Sequence, residues 1–315
     1  MPKYRDHLPQ LDGEMFLTDG GLETTLVFHH KLDLPCFAAF DVLKTDAGAE
    51  ILRGYYANYT SIACRNGFGF VLETPTWRAN PDWGEKLGYS LTTLAGVNRL
   101  TVAMMRELRD RHETMKSLMP ISACIGPRGD GYDPGQVMSE TAAEAYHRQQ
   151  IAFFRETDAD LVTALTITNI PEAIGIVRAA RSLGLPVVIS FTLETDGCLP
   201  TGQSLRQAIE AVDSSTDHAT AYYMINCVHP VHFDSALATS APWTKRLRGV
   251  RANASRLSHA ELNEALSLDD GNPLELAQQY RDLLSRHPHI NVLGGCCGTD
   301  HRHIAEMARA VKSRS

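Results

Sequence analysis

Short apolar, β-branched runs punctuate the chain at regular intervals: MFLTD (15–19), FGFVLET (68–74), PISACIG (120–126), DLVTALT (160–166), PVVISFTLE (186–194), AYYMINC (221–227), GVRANA (249–254) and INVLGG (290–295). Most are apolar throughout rather than alternating, the pattern of parallel strands covered on both faces. The stretches between them repeat apolar positions at helical spacing and carry start and stop signals. TAAEAYHRQQIAFFRET opens on Thr141 with Glu144 three positions on, a capping-box pattern. PEAIGIVRAARSLG has Pro171 in its first turn and Gly184 beyond its end, and NPLELAQQYRDLLSRHP is closed by Pro288. Eight strands alternating with helices predict an α/β fold, a closed (β/α)8 or TIM barrel, typically about 250 residues before insertions. An open doubly wound sheet is the alternative, but DGGLETTL after the first run lacks the G-x-G-x-x-G spacing of that fold's phosphate turn. No Pro/Gly/Ser-rich linker divides the chain. A single domain is expected, with an N-terminal extension over residues 1–12 and the barrel over 13–315.

Charge narrows the partners. The net charge is −7 and the pI about 6.0, with Lys and Arg scattered along the chain, so no electrostatic footprint for nucleic acid is present and small-molecule partners are expected. No apolar run approaches the roughly 20 residues that span a bilayer. MPKYRDHLPQLDGE lacks the apolar centre of a secretory leader, so no membrane association and a cytoplasmic location are expected. Seven cysteines, at 36, 64, 124, 198, 227, 296 and 297, are an odd number in a large chain, which argues against a secreted disulfide framework and for mostly reduced thiols. The pattern carries no signal for an oligomeric state.

Active groups of such a barrel gather at the C-terminal ends of its strands. Those ends read Asp19, Glu73, Gly126, Thr166, Glu194, Asn226 with Cys227, Asn253, and Cys296 with Cys297. Cys227 and the vicinal pair thus reach the same rim. Three converging thiolates suit a tetrahedral, thiophilic ion, zinc being the commonest. Glycines flanking the pair would let two consecutive side chains face one ion, which the alternation of an ordinary strand forbids. Other readings stay open: three small core residues, a redox pair, or a closed structural zinc with His301 or His303 as fourth ligand. Those two histidines, two positions apart on a helix, point in different directions and are expected to be solvated.

LTDGGLETTL, INC (225–227), VISFTLETDGCLPTGQSLRQAI, GPRGD and above all GGCCGTDHRHI resemble the homocysteine S-methyltransferase family, zinc-dependent thiol methyltransferases related to betaine–homocysteine methyltransferase. The resemblance spans residues 13 to 312. It implies a TIM-barrel S-methyltransferase of methionine biosynthesis that holds Zn2+ through Cys227, Cys296 and Cys297. The metal would activate a small-molecule thiol, homocysteine or a related one, to take a methyl group from a sulfonium or quaternary-ammonium donor. No protein nucleophile is implied. Asp19 would hold the acceptor's amino group, Gly20 and Gly21 would admit ligand close to the backbone, and Asn226 would orient Cys227. Glu73, Trp77, Tyr132 and Glu194 stand where donor contacts form, the aromatic faces favouring an onium methyl. Three departures bear on the acceptor. Leu165 stands where many members carry a glutamate for the ammonium group, the seventh-strand Pro-Asn-Ala/Ser-Gly pattern reads ANAS at 252–255, and the proline after Gly-Cys-Cys-Gly is replaced. Methyl transfer is therefore better supported than homocysteine itself. A non-catalytic zinc-binding barrel and a methyltransferase module serving a separate corrinoid protein are the remaining alternatives.

Overall fold

The apolar runs become parallel strands. In the computed structural model, which describes residues 1–239, 241–264 and 267–312, they are β1 (Phe16–Leu17), β2 (Gly69–Phe70), β3 (Leu72–Glu73), β4 (Ile121–Ile125), β5 (Leu161–Ile167), β6 (Val187–Thr192), β7 (Thr220–Asn226), β8 (Leu247–Ala252) and β9 (Val292–Gly295). β2 and β3 are the halves of one run, parted at Val71. β2 pairs with β1 and β3 with β4, and the order β2-β1-β9-β8-β7-β6-β5-β4-β3 returns the sheet to the run where it began. The eight runs therefore close into a (β/α)8 barrel, as the alternation of elements predicts.

The helices form where apolar periodicity and caps coincide. Thr45, Ser90, Ser139, Asn169 and Asn272 each accept a backbone N–H of the first turn, starting the helices Asp46–Asn66, Leu91–His112, Glu140–Phe154, Ile170–Ser182 and Pro273–Arg286. The expected cap at Thr141 is displaced to Ser139, whose hydroxyl accepts the Ala142 N–H at 3.2 Å, so the helix starts two residues earlier. A reciprocal capping box starts Leu205–Ser215, where Ser204 and Gln207 bond each other's backbone. Between β7 and β8 the described residues form short pieces, Pro230–Phe233 and three-residue-per-turn helices over Ser235–Leu237 and Pro242–Arg246.

Two apolar layers hold the barrel. The larger lies between strands and helices; a smaller one, Phe16, Val71, Leu161, Val188, Tyr222, Met224 and Val292 with Leu8, fills the N-terminal end of the barrel. Residues 1–12 lie against that end. Gln10 is fully buried and bonds the Tyr222 hydroxyl, and the Arg5 guanidinium donates to the carbonyls of Arg155, Thr157 and Ala159. Side chains thus plug the lower barrel, leaving space at the opposite rim. No described helix is long and apolar enough to cross a membrane.

Candidate active site

A cavity of about 680 Å3 opens at the C-terminal rim. The strand ends supply its wall: Asp19, Glu73, Leu165, Thr166, Asn226, Cys227, Arg251, Cys296 and Cys297 all face it, with Gly20 and Gly21 beside them. The Sγ atoms of Cys227, Cys296 and Cys297 lie within 4.8 Å of one another, the one such group of possible metal ligands among the described residues. In this structure Cys227 and Cys296 are joined as a disulfide with their Cα atoms 5.3 Å apart, Cys297 Sγ lies 4.0 Å from Cys227 Sγ, and the other four cysteines are free. Once reduced, the three sulfurs offer an all-thiolate set on one side of a cavity, which fits a zinc ion with an open position toward the cavity space.

The backbone that aims these sulfurs is specific. Cys227 follows β7 with φ at +56°, a left-handed turn that takes its side chain off the strand's alternation. Its N–H bonds the Arg251 carbonyl and the Cys296 N–H bonds the Ala252 carbonyl, so β8 ties the two segments together. Of the flanking glycines only Gly298 takes a positive φ, +77°. Gly21 is needed for a different reason: a Cβ there would come within 2.6 Å of the Cys296 carbonyl oxygen. The glycine pair after β1 thus admits the cysteine segment.

Asn226 uses its whole amide. Its Oδ1 accepts from the Thr166 N–H (2.9 Å) and Ser190 Oγ (2.6 Å), while its Nδ2 donates to Thr166 Oγ1 (2.8 Å) and lies 3.9 Å from Cys296 Sγ. Thr166 is itself left-handed, φ +62°, at a register shift in the β5–β6 pairing. Asn226 therefore pins the end of β5 as well as touching a sulfur. Tyr132 covers the sulfurs from another loop, its hydroxyl 3.3 Å from Cys297 Sγ and 3.8 Å from Cys227 Sγ, its ring 4.0 Å from that of His259. Burial pushes the Cys297 thiol above its usual range, and the Tyr132 hydrogen bond pulls it partly back.

Other expected contacts are placed differently. Glu194 does not line the cavity; it lies behind His259, its carboxylate 3.5 Å from Nδ1, because His259 turns its Nε2 to the Cys227 carbonyl at 2.5 Å. Trp77 lines the cavity and donates Nε1 to the Leu165 carbonyl at 3.2 Å, but the Arg78 guanidinium lies over it at 4.1 Å and over Trp83 at 4.0 Å. His303, expected to be solvated, is fully buried and not among the residues lining the cavity: Nε2 meets the Asp270 carbonyl at 2.8 Å and Nδ1 lies 3.2 Å from Asp300, whereas His301 is exposed.

Two groups were not legible as site residues. Arg251, on β8, is 5% exposed and lies between the two rim carboxylates: Nη2 donates to Asp19 Oδ1 at 2.7 Å, Nη1 to Glu73 Oε2, Nη2 to the Gly20 carbonyl and Nε to that of Gly295. Asp19 Oδ2 accepts from the Tyr55 hydroxyl at 3.0 Å. Glu23, in the first turn after the glycine pair, is half-buried on the cavity wall, and desolvation raises its carboxyl to about 7. The signal for Arg251 was present, since a charge inside a continuously apolar run must be paired when the strand is buried.

Comparison with known proteins bears on what such a site does. The sequence model of a family described as homocysteine S-methyltransferase matches residues 16–311. The chain is 21% identical to a selenocysteine Se-methyltransferase of Brassica oleracea var. italica, over 96% of this chain and 90% of that protein. Among solved structures, the homocysteine methyltransferase MmuM of Escherichia coli superposes with a TM-score of 0.73 in its metallated form and 0.74 in its oxidised form, at 20% identity and 96% of both chains.

Proposed function

This chain belongs to the homocysteine S-methyltransferase family and is an S-methyltransferase enzyme, and from that premise we propose that it moves a methyl group from a sulfonium or quaternary-ammonium donor to a small-molecule thiol held at a zinc ion. The observation that carries the reading is the convergence of the Cys227, Cys296 and Cys297 sulfurs on one wall of the rim cavity. Zinc bound there would lower the pKa of the acceptor thiol, so that a group otherwise mostly protonated near neutral pH, with a pKa of ~8.5, is available as a thiolate. The new S–CH3 bond forms as the methyl–onium bond breaks; its electron pair returns to the donor heteroatom, which leaves as a neutral sulfide or tertiary amine. No general base is needed at the reacting carbon.

The protein's part is binding, alignment and exclusion of water. Tyr132 and Asn226 approach the sulfurs and set the side from which a ligand enters. Gly20 and Gly21 leave no side chain between the Asp19 turn and the cysteine segment. The donor's positive charge suits the exposed carboxylates Asp130 and Asp269 and the rings of Tyr132, Phe28 and Phe37, which also line the cavity. Because the Cys227–Cys296 pair must be reduced to act as thiolates, the test is run under reductant. Purified protein is assayed for bound zinc and then for methylation of a thiol panel with S-methylmethionine, S-adenosylmethionine and betaine. One zinc per chain and turnover with at least one donor are expected, with both lost in Cys296→Ala. Full zinc occupancy in Cys296→Ala, or a stoichiometric methyl group on the protein after incubation with donor alone, would refute the reading.

A further inference from the structure

We infer that Arg251 sets the acceptor class: its guanidinium occupies the place where a ligand's ammonium would bind beside the sulfurs, so the acceptor is a small thiol without an α-ammonium group. This rests on the thiol-methyltransferase reading above and deepens it.

An ammonium group taken out of water needs carboxylate or carbonyl oxygens around it. Of the carboxylates lining the cavity, Asp130 and Asp269 are exposed to solvent, Asp130 paired with Arg78 and Asp269 bonded by Ser255; Asp19, Glu73 and Glu23, with Glu194 beside them, are each engaged, displaced or weakened. Asp19 has both oxygens engaged, Oδ1 by Arg251 and Oδ2 by Tyr55. Glu73 is bonded through Oε2 by the same guanidinium. Glu194 stands outside the cavity behind His259. Desolvation raises the Glu23 carboxyl to about 7, so near neutral pH it carries only part of its charge and its pull on a cation is weakened. The Gly20 carbonyl also takes an N–H from Arg251. At the end of β5 the wall is the apolar side chain of Leu165.

A second cation entering here would meet a buried guanidinium of like charge and compete for oxygens already bonded. Arg251 cannot yield easily. It makes four hydrogen bonds through Nε, Nη1 and Nη2, and withdrawing it would leave two buried carboxylates uncompensated. A thiol whose end beside Arg251 is uncharged meets no such conflict.

The test compares homocysteine with 4-mercaptobutanoate, which differs only by lacking the amino group. Dissociation constants are measured by calorimetry on reduced, zinc-loaded protein with no donor present, and kcat/KM is measured separately with whichever donor is active. In the parent, 4-mercaptobutanoate should bind at least as tightly as homocysteine. In Arg251→Met, which frees Asp19 and Glu73, the ratio should move tenfold or more toward homocysteine. Tighter binding of homocysteine than of 4-mercaptobutanoate by the parent overturns the assignment, and this comparison stands even if Arg251→Met does not fold. Should neither thiol bind to protein that holds zinc, the thiol-site reading itself falls and takes this inference with it.

Discussion

Single side chains at the rim decide what the cavity can hold, and the chain alone showed them unevenly. The clustering of the cysteines was legible because adjacent thiols at the end of one apolar run, and a third at the end of another, reach the same rim once the strands close into a barrel. Arg251 was not, because its meaning depends on Asp19 and Glu73, which lie on β-runs far away in sequence and adjacent only once the barrel closes. Leu165 was legible as an absence, but the filling of the ammonium's place by a protein cation was not. Glu23 offers a measurable consequence at this scale. Its folded-state pKa lies above the unfolded value of 4.5, so the folded protein binds more protons than the unfolded one between about 4.5 and about 7. The parent should therefore lose stability as pH rises through that window, by on the order of 3 kcal/mol at the upper limit. Glu23→Gln should lack that loss and be the more stable protein above pH 7. Thermal melts of metal-free parent and variant at pH 5 and pH 8 check it; parallel shifts in both would contradict the burial argument.

Among elements, the strands were legible as apolar runs and their internal breaks were not. The second run reads as one strand but parts at Val71, where one half turns to β1 and the other to β4. The irregular end of β5 is likewise invisible in DLVTALT, because Thr166 takes its left-handed conformation only with Asn226 on β7 to hold it. The helix start at Ser139 rather than Thr141 shows two capping residues in competition, decided by which hydroxyl reaches a free N–H. The β5–β7 link makes a prediction. In Asn226→Ala the Thr166 N–H and the Ser190 hydroxyl lose a buried acceptor, costing about 1–3 kcal/mol for each group left unpaired. A melting temperature lower by several degrees is expected, along with a larger loss of methyl transfer than of zinc, because the sulfurs remain while the cavity wall shifts. An unchanged melting temperature would show that β5 holds its shape without Asn226.

At the scale of the whole molecule, the barrel core and the sulfur cluster are separate structures. The apolar plug at the N-terminal end and the layer beneath the helices contain none of the three rim ligands, so the fold should persist when the metal is removed. That separation explains why the architecture followed from periodicity alone while the acceptor's identity did not: the core is written in local patterns, and the cavity in contacts between strand ends. It also isolates the central claim, that Cys227, Cys296 and Cys297 hold a metal with an open position for a thiol. The most direct test is the absorption spectrum of reduced protein loaded with cobalt(II) in place of zinc. A tetrahedral spectrum with sulfur-to-cobalt charge-transfer bands is expected, and those bands should intensify on adding a saturating small thiol as a fourth sulfur joins the metal. A cobalt spectrum without sulfur charge transfer, or one that no thiol alters, would contradict the account.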